Sequence, residues 1–366
     1  MLALTIRSFA KWTVQRAFAE AGVAIGGDDP HDVRVHSDAF YRRLVRNPAL
    51  QLGETYMAGM WECDAIDQMV ERLVASGVAG AHERGYAYHV RDAWARVRNR
   101  QSRSRAHEVA TAHYDLDAEV YAAMLDESLT YTCAYWTGAD TLDAAQANKL
   151  RLICDKLGLR AGDTLLDIGC GFGGLAAFAA RHYGARVVGI TNSAQHAALA
   201  RTRTAHLPVE ILQLDYRDLP SLGRRFDHVA SIEMIEAVGP KNFATYMDVV
   251  RRCLAPGGRF LLQSFLSADS RQVCNEWFDR YIFPNGVSPS LAQLAAASPF
   301  AAPMIDDLTE HYPFTLLAWD RRLTAAWPAL TRRYDPRFRR MWHFYLTSLA
   351  GVFRTRDLRL CQLLYT

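Results

Sequence analysis

Leu165-Leu166-Asp167-Ile168-Gly169-Cys170-Gly171-Phe172-Gly173-Gly174 is a short apolar run that ends in an acid and passes into a glycine cluster. Leu175-Ala-Ala-Phe-Ala-Ala-Arg181 follows and reads as a helix. Together they make a strand, a tight turn and a helix. Glycine lets the backbone of such a turn come close to a nucleotide-like ligand, because no side chain stands in the way. Gly169, Gly171 and Gly174 also fit the dinucleotide fingerprint, so the glycines alone do not name the ligand. The flanks do. A nicotinamide dinucleotide site wants an acid about 20 residues on, at the tip of the second strand, to hold the ribose. Here that strand, Arg186-Val-Val-Gly-Ile190, ends in Thr191-Asn192-Ser193 without a carboxylate. Asp167 directly before the glycines and Asp215 after the third strand suit S-adenosylmethionine (SAM) instead.

Working outward, strand patterns at 164–168, 186–190, 209–213, 226–232 and 258–265 alternate with helix patterns. Asp143 to Leu157 leads into the first strand. Ser193 to Ala205 follows the second, with Ser193 as N-cap. Lys241 to Leu254 follows the fourth and stops before Pro256-Gly257-Gly258. Such alternation predicts a parallel sheet covered on both faces; with a SAM site at its glycine turn, the expected fold is an α/β Rossmann-like sheet of the class I SAM methyltransferase kind. A Pro- and Gly-marked insertion at 267–310 interrupts it. Helices at 313–334 and 336–353 and a last strand, Arg359 to Tyr365, complete the chain. Residues 1–105 look mainly helical: Phe9 to Ala21 is an amphipathic helix ending at Gly22, Gly26 to Pro30 is a turn, and Val33 to Val35 a short strand. The expected division is a helical N-terminal domain, 1–105, and a catalytic domain, 106–366.

The net charge of +3 over 366 residues calls for no nucleic-acid partner. Its distribution is uneven: Arg91, Arg96, Arg98, Arg100, Arg103 and Arg105 fall close together. The plainer reading is a solvated helix face. The sharper one is a patch facing anionic lipid headgroups. Seven cysteines with no C-x-x-C pair point to a reducing, cytoplasmic compartment. No apolar run reaches the ~18 residues that span a bilayer, so the expected membrane contact is peripheral. No metal site is expected.

In an open parallel sheet, ligands bind beyond the carboxyl ends of the strands. That rule nominates Gly169 to Gly173, then Thr191, Ser193, Gln195 and His196, then Asp215 and Tyr216, then Glu236, and last Gln263 and Ser264. Asp215 can accept from an adenine amino group and Tyr216 can pack on the ring. A polar turn before Leu219-Pro220 is the plainer account of that pair. Glu236 faces the cofactor side, or serves as an acid favoured at a helix N-terminus. Gln263 interrupts the apolar strand Phe260 to Phe265, so it either satisfies a neighbour or holds a ligand.

Several longer motifs resemble the cyclopropane-fatty-acyl-phospholipid synthases, a family that includes the mycolic acid cyclopropane synthases. They are Leu52-Gly-Glu-Thr-Tyr-Met57, Trp61-Glu-Cys-Asp64, His113-Tyr-Asp-Leu116 and Leu129-Thr-Tyr-Thr-Cys-Ala-Tyr-Trp136. The glycine motif, Glu233 to Gly239, Arg280-Tyr-Ile-Phe-Pro-Asn-Gly286 and Ala350-Gly-Val-Phe-Arg354 extend the likeness. The resemblance implies methyl transfer from SAM to the cis double bond of an acyl chain in phospholipid at the membrane surface, then ring closure. A product without ring closure, methyl-branched or methylene, is the near alternative. The resemblance further implies a homodimer and a bound bicarbonate as base. Its cage falls on Cys133, Glu236, Tyr312, Gln263 (where the family has His) and the backbone amide of Phe265. The cofactor set it implies includes Tyr131, Thr132, Asp167, Gly169, Cys170, Gly171 and Gly173. It continues with Thr191, Asn192, Ser193, Gln195, His196, Asp215 and Tyr216. Ala237 replaces a common family His, and Leu349 a Cys once proposed as nucleophile, so no such nucleophile operates here.

Overall fold

The computed structural model describes residues 2–83, 86–103, 118–270 and 272–366. Arg105 and the His113–Leu116 motif lie outside them. Two short strands, β1 (Arg34–Val35) and β2 (Trp61–Glu62), pair antiparallel. Seven more form the main sheet: β3 (Thr164–Ile168), β4 (Arg186–Thr191), β5 (Val209–Gln213), β6 (Phe226–Ile232), β7 (Leu254–Ser267), β8 (Met304–Asp307) and β9 (Leu358–Tyr365). Their order is β5-β4-β3-β6-β7-β9-β8. The chain winds outward from β3 through β4 to β5, then returns to the other side of β3 with β6. That reversal opens a crevice beyond the carboxyl ends of β3 and β6.

The central strands bury almost everything they carry. Leu165 and Leu166 on β3 and Val229 and Ala230 on β6 are wholly enclosed, as a sheet packed on both faces demands. The helix Gly174–Tyr183 lays Leu175, Ala176, Ala179 and Ala180 on one face of the sheet with Ile153, Cys154 and Leu157. Phe243, Tyr246, Met247 and Val250, from the helix Phe243–Cys253, cover the other with Val229, Phe260 and Leu262.

The structure corrects the sequence reading in three places. The sheet is mixed, since β9 runs antiparallel to both β7 and β8. Strand β8 has no sequence signature because all four of its residues are exposed, leaving no alternation to read. Pro256-Gly257-Gly258 lies inside β7, which begins at Leu254 directly after the helix. A register shift opposite Phe226 and His228 absorbs the irregular residues, and such bulges tolerate Pro and Gly in a strand.

The chain forms two compact units, and neither is one continuous stretch. The first takes Met1–Val97, Val273–Pro284 and Leu316–Asp357; the second takes Arg98–Gln272, Asn285–Thr315 and Leu358–Thr366. This differs from two consecutive domains meeting at 105. Packing within the first unit explains why the late segments join the early one. Arg340 donates to the carbonyls of Tyr56 and Trp61 and to Glu62. Trp277 lies flat against Gly53, and Gly351 against the Asp67 backbone, so close that a side-chain carbon at either glycine would clash. Among the described residues no helix is long and apolar enough to cross a membrane.

Candidate active site

The glycine turn after β3 is held to its neighbour strand. The backbone N–H groups of Gly169 and Cys170 both donate to the Ile190 carbonyl at 3.0 Å. Gly169 (φ 84°) and Gly171 (φ 52°) adopt left-handed conformations that favour glycine. A side chain at Gly169 would collide with Met234 at 2.6 Å, while Gly171 faces open space. A cavity spreads over this turn. Its walls include Tyr131, Thr132, Asp167, Gly169, Cys170, Gly171, Thr191, Asn192, Ser193, His196 and Tyr216, with Lys149 and Glu233 among the rest.

Asp167 Oδ2 and the Tyr216 hydroxyl have no hydrogen-bond partner there among the described residues. Burial pushes the Asp167 carboxyl up to about 7, against the pull of the Lys149 ammonium. Burial likewise lowers Lys149 to about 8. Its Nζ donates to Thr132 Oγ1 at 2.8 Å. Burial takes the His196 imidazole down to about 4, so it is neutral at pH 7, and its ring sits 4.3 Å from that of Phe172. Unpartnered buried polar groups are costly. A cavity lined by them beside glycines at positive φ fits SAM, whose ribose, adenine and amino acid ends offer donors and acceptors.

Some nominated side chains are engaged within the fold. Ser193 spends its hydroxyl as N-cap, accepting from the His196 N–H at 3.1 Å. Asp215 caps the 3-10 turn Tyr216–Leu222 through the Arg217 N–H and pairs with the Arg217 guanidinium at 2.8 Å. That guanidinium lies 4.7 Å from the Tyr216 ring centroid. Asp215, Gln195 and Gly173 do not line the cavity, whereas Arg217 does.

A second cluster follows β6. The Glu233 N–H donates to the Gln263 carbonyl at 2.8 Å, which extends the β6–β7 pairing one step past Ile232. Glu233 has φ 51°, a conformation that costs a non-glycine residue about 1 kcal/mol or more. Its carboxylate collects three donors: the Cys133 N–H at 2.9 Å, Gln263 Nε2 at 2.7 Å and the Tyr312 hydroxyl at 2.9 Å. Burial raises the Glu233 carboxyl above its usual range, while these donors and Lys149 pull it back. Glu236, in the 3-10 turn Ile235–Ala237, accepts through one oxygen from Ser264 Oγ at 2.9 Å and the Phe265 N–H at 2.7 Å. Its other oxygen is buried without a partner among the described residues. Burial first, then the charge of Glu233, pushes Glu236 up to about 7. Burial and the same charge keep the Cys133 thiol protonated, so this cysteine contributes its backbone N–H rather than a thiolate.

The structure thus brings Cys133, Gln263 and Tyr312 together around Glu233 and sets Glu236 beside them. Sequence reading passed over Glu233 and Lys149. The signal for Glu233 was there: it is the first residue past a buried strand, where the crevice rule applies. Lys149 looked like any lysine on an amphipathic helix, and its burial is a tertiary effect.

A sequence profile of the mycolic acid cyclopropane synthetase family matches residues 101–363. The chain belongs to that family. The cyclopropane-fatty-acyl-phospholipid synthase of Escherichia coli (strain K12) is 43% identical over 350 residues, 95% of this chain and 91% of that protein. Tuberculostearic acid methyltransferase UfaA1 of Mycobacterium tuberculosis is 31% identical, over 93% of this chain and 85% of its own. Among solved structures, the cyclopropane synthase MmaA2 from Mycobacterium tuberculosis aligns with a TM-score of 0.66 at 28% identity, over 71% of this chain and 98% of that one. Mycolic acid cyclopropane synthase CmaA1, complexed with SAH and CTAB, gives the same TM-score and identity over 71% and 97%. This member of the synthetase family is a SAM-dependent methyltransferase of class I fold.

Proposed function

We propose that the protein transfers a methyl group from SAM to the cis double bond of an unsaturated phospholipid acyl chain and closes a cyclopropane. The observation that carries this reading is one cavity that joins the glycine turn to a buried carboxylate. Bound there, SAM supplies an electrophilic methyl. Asp167, Thr132 and Tyr216 offer the polar atoms that hold and orient it, with Asn192, His196 and the backbone of Gly169 to Gly171 around them. The alkene is a weak nucleophile, so alignment supplies much of the acceleration. Attack leaves a carbocation, and ring closure needs a base to remove a proton from the added methyl. Glu236, Cys133, Tyr312 and Gln263 stand as the catalytic set around that step. Burial keeps water from trapping the cation first.

The reaction belongs at a membrane surface in this reading. Phe9, Trp12 and Trp94 expose large apolar side chains in the first unit, a composition suited to lipid contact. The arginine run is partly neutralised, since Arg91 pairs with Glu276 and Asp279, and Arg103 with Asp218. A cytoplasmic location and a homodimer complete the proposal. Purified protein given SAM and vesicles of a monounsaturated phospholipid tests it. Gas chromatography with mass spectrometry should show a product heavier by one CH2 that co-elutes with a cyclopropane standard. A methyl-branched or methylene product would overturn ring closure. Exchanging Arg98, Arg100 and Arg103 for Glu should weaken binding to anionic vesicles by at least about tenfold; unchanged binding would leave the run as a solvated face.

A further inference from the structure

Bicarbonate, implied as the base by the family resemblance, can be tested against the residues that would hold it. Of the five cage positions, three donate to Glu233 itself: the Cys133 N–H, Gln263 Nε2 and the Tyr312 hydroxyl. The other two, Glu236 and the Phe265 N–H, bond to each other at 2.7 Å. The donors that a small planar anion would need already serve a planar anion belonging to the chain. Bicarbonate does not fit this cage.

We infer that Glu233 is the base of the reaction, a carboxylate built into the chain where an outside anion would otherwise be captured. This rests on the cyclopropanation reading above. Several features support it. Glu233 lines the same cavity as Asp167 and the glycine turn, the cavity in which the methyl donor is proposed to bind. Its backbone is held in a left-handed conformation by the bond to the Gln263 carbonyl. The donors are themselves oriented. Gln263 Oε1 accepts from Gln362 Nε2 at 2.8 Å, and Gln362 Oε1 accepts from Lys156 Nζ at 2.6 Å. An ammonium cannot accept, so the chain Lys156–Gln362–Gln263 points an amide N–H at Glu233. The neutral Gln263 donates without a proton of its own to lose, so the carboxylate it faces, Glu233, is the acceptor of that bond.

The alkene π pair forms a bond to the methyl carbon while the carbon–sulfur bond breaks, its pair staying on sulfur. The second alkene carbon becomes the cation. The Glu233 carboxylate takes one proton from the added methyl, and the released C–H pair closes the three-membered ring. Glu233 then passes that proton to solvent, one proton per turnover.

Turnover measured in CO2-free buffer, with and without added bicarbonate, tests the assignment. The wild-type protein should form ring product at the same rate, within about twofold, in both. Glu233→Gly suits the backbone φ at that position and should lose about 100-fold or more. Added bicarbonate or formate should restore part of the loss, and titration should show SAM binding unchanged. Glu233→Gln, which keeps the size but not the base, should lose a similar amount. Wild-type turnover that collapses without bicarbonate and returns with it would overturn the assignment, as would full activity of Glu233→Gln. Each of those failures still yields ring product, whereas a wild-type protein that makes no ring product under any condition fails the function reading instead.

Discussion

The turn after β3 and the turn after β6 lie on either side of one crevice and are finished in opposite ways. The first leaves polar atoms without partners among the described residues, Asp167 Oδ2 and the nearby Tyr216 hydroxyl. The second saturates Glu233 with three donors. Buried polar groups cost free energy unless paired, so the first turn is completed by a ligand, whereas Glu233 is completed by the fold and only its neighbour Glu236 keeps a carboxylate oxygen without a partner among the described residues. The difference separates what this methyltransferase must import, its methyl donor, from what it carries, a carboxylate.

The strongest way to break that contrast acts on the first turn. Gly169→Val adds a side chain at φ 84° against Met234, strain and overlap that together cost roughly 3 kcal/mol. SAM affinity by calorimetric titration should fall by about 100-fold, and near-native affinity would show that the glycine turn does not shape the cofactor site. On the other side, Glu236→Gln should keep SAM binding yet lose most turnover, about tenfold or more. Normal activity in that variant would remove Glu236 from the mechanism. Tyr312→Phe deletes one of the three donors to Glu233 and should lower turnover by about fivefold, in line with ~1 kcal/mol net for one typical hydrogen bond. An unaffected rate would mean that the other two donors suffice.

The smallest effect is a pH dependence. Glu236, raised to about 7 by burial and by Glu233, binds its proton more tightly folded than unfolded. Its contribution to stability is therefore fully present below the unfolded value of about 4.5 and declines as pH rises to about 7. Thermal midpoints of wild type and Glu236→Gln should diverge across that window, wild type losing ground as pH rises. Parallel curves would place the titration elsewhere.

Much of this was legible in the chain. The strands β3, β4, β5 and β6 stood within a residue of their observed bounds, β3, β4 and β6 because buried strands are largely continuous apolar runs and the edge strand β5 because Val209 and Ile211 alternate with polar residues. Ser193 as N-cap followed from residue type alone. What escaped depended on partners distant in sequence. Strand β8 is exposed and exists through pairing with β9. Asp215 turned toward Arg217, two residues away, so a side chain free to meet adenine on paper is engaged in the fold. Glu233 and Glu236 are three residues apart, and the crevice rule admits both, Glu233 as the first residue past the strand and Glu236 one turn on. The donors choose between them, and those come from positions 133, 263 and 312.

The first compact unit is assembled from three separated stretches, with Trp277 pressed on Gly53 and Gly351 on the backbone of Asp67. Cutting the polypeptide near position 105 would not release a self-sufficient piece. It would strip away two of those stretches and leave the apolar faces of the early helices facing water. Anyone grafting this part onto another enzyme must therefore transplant it as a braid.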